Sequence, residues 1–488
     1  MRNSKLYKTL KTFDRYEQNR FRKFLQSPFF NRDENLERLY DLFCTDINKN
    51  ANRDPEKRKG DLTKTWLWEK MDLNIPFNDV RWRKYISDLL KLTVDYLAYE
   101  NFERKPMEQA KNVMEAVGWR KIKPLFGYAI KMGAKATKTS KNESPKHYLK
   151  KYQLELNNYL LGQHELQRSE KSNLEAISEN LDIFYLSEKL RLASVALTQE
   201  GIMKVSYDMG LKDEVVSGAS KKRYQEFPAI AINQMMLKTI SHPEDDGSYF
   251  ELKRLLLQHQ ADFPKSEVWD AYKYALNYCG RKIKLGQPSF TQEFFEIFTN
   301  SQENEIFLAD GELSPWLFKN VITIALRLKR YEWAKTFVNN YSSHLPDSFR
   351  ANAVTFNLAK IAFYQKDYEE VIDLLRYVEY DDYSYNLNSK MFLTTTYYET
   401  DEIELIYSTV DSFQTYLRRH KKNLAKNTQE HYLNFTKLIS RLVKVDRHNK
   451  DKIARFERDL NETKNTAARN WFHEKIAELR GQKSGTPG

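Results

Sequence analysis

Three groups of residues in this 488-residue chain have the types that chemistry needs. Glu244, Asp245 and Asp246 precede Glu251-Leu252-Lys253, and carboxylates beside a lysine would suit a metal-dependent nuclease. The spacing is short and no strand pattern surrounds them, so a charged loop between helices is the plainer reading. Arg254 with His259, and Arg441 with His448, would suit Arg–His cleavage of RNA. Among 79 basic residues such pairs arise by chance. The nine histidines are scattered, and none pairs with another at metal-ligand spacing. No GxxxxGKS/T, GxGxxG, HExxH, CxxC or GxSxG motif occurs. The expectation is a protein with no catalytic centre, no metal and no cofactor.

The third group is a run of charge. Arg120 to Lys151 holds ten basic side chains and one acid, Glu143. Ile122, Leu125, Ala129, Met132 and Ala136 fall on one helical face, and Lys131, Lys135 and Lys138 on the opposite one. Arg120, Lys121 and Lys123 lead into them. Thr139 to Pro145 reads as a loop. Such a face is ordinarily just solvated. As a functional patch it would hold the phosphates of a nucleic acid, in a salt-sensitive way. Aromatics do not interleave the lysines as stacking on a single strand requires. Arginine, the usual reader of bases, is nearly absent.

The elements that would position these groups are helices. Fifteen glycines and thirteen prolines are few turn formers for so long a chain, which argues for long helices over many short strands. Helices are expected over Leu6–Gln26, Glu34–Ile47, Thr63–Met71 and Asn78–Glu103, the last with Tyr85, Leu89, Leu92, Val94 and Leu97 inward. Lys49–Gly60 reads as a loop. Ser172-Asn173-Leu174-Glu175 reads as a capping box. It opens a helix with Ile177, Leu181, Phe184, Tyr185, Leu190 and Leu192 on its apolar side. Further helices follow from Pro228, over Tyr249–His259, Ser266–Cys279 and Phe290–Phe298, with loops at Gly280–Pro288 and Ser301–Asn304. Residues 1–150 carry 33 basic and 20 acidic side chains, net +13; residues 151–400 are net −7 and residues 401–488 net +6. Basic ends hint at an anionic partner. The two cysteines, Cys44 and Cys279, have no pairing pattern. No apolar leader or span is present in the sequence, which points to a soluble cytoplasmic protein with no membrane partner.

A period organises the stretch from Ser314 to about Ser412. Turns at Arg330-Tyr331-Glu332, Asp367-Tyr368-Glu369 and Asp401-Glu402-Ile403 separate helix pairs, 37 residues apart (Tyr331 to Tyr368) and then 34 (Tyr368 to Glu402). Ser314-Pro315 starts the first helix with a cap and a first-turn proline. Val321, Ile322 and Ala325, then Ala334, Val338 and Tyr341, face inward in the first pair. Leu358, Ala359 and Ala362, then Val371 and Leu375, do so in the second. Small residues sit where antiparallel helices approach closely. In the third pair Phe392, Leu393 and Leu405 fit, whereas Thr396, Thr409 and Ser412 do not. This stretch resembles the tetratricopeptide repeat family in period, small crossing residues, turn tyrosine and closing Pro346. The glycine usual at the family's turn is missing from all three.

The resemblance implies an all-α, helical-hairpin repeat array, an α-solenoid, with a binding groove lined by the first helix of each pair. The face opposite the core carries Lys319, Asn320, Thr323 and Arg327, then Asn357, Lys360 and Tyr364, then Lys390, Thr394 and Tyr397. Lysine, arginine and asparagine on neighbouring helices could hold a carboxylate, such as a chain terminus or an acidic segment. The expected organisation is a basic helical region over 1–146 and a helical region over 147–300, with diverged repeats as one reading of it. Repeats follow over 301–445, then a capping helix over 446–480, amphipathic near Lys452–Leu479, and a disordered tail over 481–488. The expected function is a non-enzymatic scaffold or adaptor that binds a protein partner in this groove. The alternative is a nucleic-acid-associated protein that uses residues 120–151 while the repeats recruit a partner.

Overall fold

Helix is the regular structure of the computed structural model, which describes residues 1–50, 62–73, 75–139, 142–162, 171–203, 205–376, 383–446 and 448–481. Most of the Lys49–Gly60 segment, Ser140 and Lys141, and the tail beyond Gly481 lie outside the described residues. Contacts resolve the chain into two units, residues 1–141 with 146–181, and residues 142–145 with 182–488.

The early helices are α1 (Lys5–Leu10), α2 (Arg15–Gln26), α3 (Glu34–Asn50), α4 (Lys64–Lys70), α5 (Asp79–Glu103), α6 (Pro106–Trp119), α7 (Phe126–Thr139) and α8 (Pro145–Gly162). One long helix expected over Leu6–Gln26 is thus two. Asp14 explains the break: its carboxylate accepts from the Glu17 amide, and the Glu17 side chain accepts from the Asp14 amide. This reciprocal cap starts a new helix. The α3 helix runs on to Asn50 instead of stopping at Ile47. In α5, Val94 and Leu97 are 56% and 42% exposed, not inward. The buried stripe is Trp82, Tyr85, Leu89, Thr93, Tyr96 and Glu100. Its two polar members hid it, and both are satisfied: Thr93 donates to the Leu89 carbonyl, and Glu100 pairs with Arg20 and Arg104.

Next come α9 (Leu174–Ile202), α10 (Lys212–Ala219), α11 (Lys222–Gln225), α12 (Pro228–Ser241), α13 (Asp246–His259), α14 (Lys265–Lys284) and α15 (Ser289–Glu303). Leu181, Tyr185 and Leu192 of α9 are exposed; Ile183, Leu186, Leu190 and Ala193 are the buried face. The helices α14 and α15 run through segments expected as loops, Gly280 to Lys284 and Ser301 to Glu303. Gly280 is tolerated within α14, where a side chain would meet open space.

The remaining helices are α16 (Pro315–Arg327), α17 (Tyr331–Tyr341), α18 (Asp347–Gln365), α19 (Tyr368–Leu375), α20 (Tyr383–Glu399), α21 (Ile403–Arg419), α22 (Lys426–Leu442), α23 (Lys450–Glu462) and α24 (Arg469–Leu479). From α12 onward most helices pack against the next in sequence, and α16, α18 and α20 also pack side by side. Ala325, Ala334, Ala353, Ala359 and Ala362 are at most 1% exposed at these crossings. Aromatic rings fill the wider spaces. Phe337 lies 5.1 Å from Trp333, 5.5 Å from Phe318, 5.6 Å from Phe298 and 5.0 Å from Tyr341, centroid to centroid. The single C-terminal helix expected near Lys452–Leu479 is two, α23 and α24. The Asn465 side chain between them donates to the Asn427 carbonyl, and Ala468 adopts φ 53°.

Each turn of the periodic stretch ends its first helix with a left-handed residue: Lys329 (φ 57°), Lys366 (φ 64°) and Asp401 (φ 60°). The amides of Arg330, Asp367 and Glu402 reach back to the carbonyls of Ala325, Ala362 and Tyr397 at 2.8–2.9 Å. This closes the helix end in the manner a glycine usually permits. A lysine there costs roughly 1 kcal/mol of backbone strain. Lys329→Gly and Lys366→Gly are each expected to raise stability by up to about 1 kcal/mol. Thermal denaturation of the single variants measures this, and a lowered melting temperature would contradict it.

Both cysteines are buried, Cys44 in the first unit at 4% exposure and Cys279 in the second at 0%.

Candidate functional site

The acidic cluster of the α12–α13 connection is engaged locally. Asp245 caps α13, accepting from the Gly247 amide and the Ser248 hydroxyl. Asp246 pairs with Lys282 and accepts from the Tyr278 hydroxyl. Lys253 turns to Glu293 at 2.6 Å and Glu296 at 2.9 Å, on α15. Arg254 pairs with Glu251, His259 with Asp262, and Arg441 with Asp459. The Asp246–Lys282, Lys253–Glu293 and Arg441–Asp459 pairs join neighbouring helices, whereas Arg254–Glu251 and His259–Asp262 are local pairs three residues apart. Among the described residues, no group of three or more His, Cys, Asp or Glu is placed to hold a metal.

The polar stripe on α16, α18 and α20 is more informative. Asn320 and Arg327 are exposed, Lys319 and Thr323 partly buried. Tyr364 is 37% exposed. Asn357, Lys360, Thr394 and Tyr397, expected on the open groove, are instead buried, at 0%, 7%, 0% and 5% exposure. The reason is that α18 and α20 each have neighbours on more than one side. Asn357 donates to the Ala353 carbonyl and Thr394 to the Lys390 carbonyl, both within their own helices. Lys390 donates to the Ser412 hydroxyl and lies 5.7 Å from the Tyr416 ring.

Lys360 is the exceptional member. Three lysines are buried among the described residues: Lys282, Lys360 and Lys475. Lys282 has the carboxylate of Asp246, and Lys475 has those of Glu399 and Glu478. Lys360 has none among the described residues. Its Nζ donates to Thr323 Oγ1 at 2.6 Å, and that hydroxyl donates to the Lys319 carbonyl at 2.6 Å. Burial first, then the charges of Lys319 and Arg327, push the Lys360 amine down to about 7. Burial raises the Tyr364 phenol, Arg327 opposes the rise and the Glu474 carboxylate adds to it. The stripe thus brings Lys319, Thr323, Arg327, Lys360 and Tyr364 into one electrostatic neighbourhood. On α18 and α20, Asn357 Oδ1 and Ser389 Oγ are buried with no hydrogen-bond partner among the described residues. Three cations on two adjacent helices can neutralise an anion, and an anion there would restore the proton that burial removes from Lys360.

In the first unit Arg120, Lys121, Lys123, Lys131, Lys135 and Lys138 are all exposed. Leu125 is exposed too, at 43%, not inward; Phe126, Ala129, Gly133 and Ala136 form the buried face of α7. Contrary to the expectation that aromatics do not interleave the lysines, two exposed rings sit among these cations: Trp119 at 79% exposure and Tyr128 at 66%. The spacing of Tyr128 to Lys131, Lys135 and Lys138 was readable in the sequence as one helical stripe.

No helix among the described residues is long and apolar enough to cross a membrane. No protein-family model, curated protein or solved structure matches the chain.

Proposed function

We propose that residues 301–445, within the second unit, form a tetratricopeptide-like array of helical hairpins. On this reading it acts as a non-enzymatic adaptor, taking an acidic or C-terminal segment of a protein partner on the α16–α18 face. The recurring left-handed turns, the alanine crossings and the side-by-side packing of α16, α18 and α20 support the array. The observation that carries the ligand is Lys360. A buried lysine flanked by Lys319 and Arg327, without a carboxylate, is costly to keep unless its site receives an anion.

The test uses the full chain and a labelled octapeptide of alternating Glu and Asp, as the free acid and as the C-terminal amide. Binding is followed by fluorescence anisotropy. Lys319→Ala combined with Lys360→Ala is expected to weaken binding at least tenfold. The pH dependence has a defined sign. Free Lys360 titrates near 7, and a bound carboxylate raises that value. Affinity should therefore rise as pH falls from about 9 towards 7 and level off below, by about tenfold per unit of the rise. Unchanged affinity in the double variant, or a flat pH profile, would remove the anion role.

A further inference from the structure

The connection between α6 and α7 sets aromatic rings among cations that form no ion pair among the described residues, on a surface that the adaptor reading leaves unused. The α6 helix ends at Trp119, and Lys121 takes φ 55° so that the Ile122 amide returns to the Val117 carbonyl at 3.0 Å. This tight closure leaves Trp119 and Arg120 at the tip. The Arg120 guanidinium carbon lies 4.8 Å from the Trp119 ring centroid, a cation stacked on the indole. A 3-10 turn over Lys123–Leu125 then leads into α7. The buried side of α7 packs on α6, close enough that a Cβ on Gly133 would meet Met114 Sδ at 3.2 Å. That fixes the opposite side outward. Tyr128, Lys131, Lys135 and Lys138 lie on it at spacings of three, four and three residues, one continuous stripe. From Lys131 to Lys138 the stripe is about 10 Å long.

No acidic residue occurs between Glu115 and Glu143. None of Arg120, Lys121, Lys123, Lys131, Lys135 and Lys138 forms an ion pair among the described residues. Unpaired cations in a row match a polyanion. The two exposed rings narrow it further. A duplex hides its base faces, whereas a single strand offers them for stacking. A bilayer surface is disfavoured by the way α7 is seated. An interfacial helix buries its apolar face in lipid, but the apolar face of α7 is already buried in protein, and its outward stripe is one tyrosine and three lysines.

We propose that the α6–α7 tip and the outward stripe of α7 bind single-stranded nucleic acid, with Trp119 and Tyr128 stacking on bases and the lysines following the phosphates. Arg120, already seated on the indole, holds that ring and adds a backbone contact. Such binding tolerates any sequence, because every base has a stacking face.

The test uses the full chain with a fluorescein-labelled thymidine 15-mer, its duplex with adenosine, and vesicles containing phosphatidylserine. The 15-mer is expected to bind, and the duplex more weakly. Trp119→Ala with Tyr128→Ala should lose affinity about tenfold or more, while Trp119→Phe with Tyr128→Phe retains it. Lys131→Ala, Lys135→Ala and Lys138→Ala together should reduce the slope of log affinity against log salt by about 2. All these side chains are exposed, so circular dichroism should report an unchanged fold. Three outcomes would overturn the proposal: no binding of the 15-mer, binding indifferent to loss of both rings, or binding of vesicles in preference to the strand.

Discussion

Lys360→Met is expected to stabilise the second unit most at pH 6 and least above pH 10. Methionine fills a similar volume and carries no charge to desolvate. The sign follows from proton counting. The folded-state amine titrates near 7 and the unfolded one near its ordinary 10.5. Below pH 7 both states hold the proton, and the folded protein bears the whole cost of a buried charge. Between about 7 and 10.5 the unfolded chain binds more protons, so wild-type stability from this group rises with pH. Above 10.5 both states are neutral and the cost is gone. The methionine variant lacks that cost throughout, so its advantage is greatest below pH 7. The gain is at most on the order of 5 kcal/mol. Denaturant titrations of both proteins at pH 6 and pH 10.5 measure it. A variant less stable than wild type at pH 6 would mean that Lys360 has an anionic partner in the free protein. Greater stability with weaker binding of the acidic octapeptide is the pattern of a site kept for function at the expense of the fold.

Phe337→Ala should be the most damaging single substitution in the aromatic core of the second unit, at about 3–5 kcal/mol. Phe337 is 1% exposed and touches rings on both sides: Phe298 of α15, Phe318 of α16, Trp333 and Tyr341 of its own helix, and Phe307 at 6.3 Å. None of these can close the gap without leaving another neighbour. Removing the ring therefore leaves a cavity, in addition to the lost transfer free energy. Phe337→Leu should recover roughly half of the loss. Urea denaturation followed by far-ultraviolet circular dichroism provides the comparison. A cost below about 1 kcal/mol for the alanine variant would show that the surrounding rings repack.

The helical class and the alanine crossings of α16 to α19 were legible in the sequence, because small residues recur at helix period where helices must touch. The burial of Asn357, Lys360 and Thr394 was not. A pattern reading assigns each helix one inner face, and α18 and α20 have more than one. Polar residues on the second face then look solvated. The break before α2 was legible and overlooked: Asp14 and Glu17 stand three apart in the spacing of a capping box. The left-handed turns were hidden for a different reason. Lysine is a poor residue for that conformation, so Lys329 and Lys366 carry no signal of it. Tyr128 was missed because the lysines were read as a stripe without aromatics, although its spacing to Lys131 placed it with the exposed cations.

Cys44 and Cys279 have a use that depends on their burial. Burial pushes the Cys44 thiol up to about 11 and the Cys279 thiol up to about 12, so both are held as the unreactive protonated form. Neither can meet an alkylating reagent while its surroundings stay closed. One cysteine lies in each unit, and the chain has two in all. Each unit therefore contains its own native reporter of opening, with no label to introduce. The labelling time course at Cys44 and that at Cys279 separate the opening of one unit from that of the other.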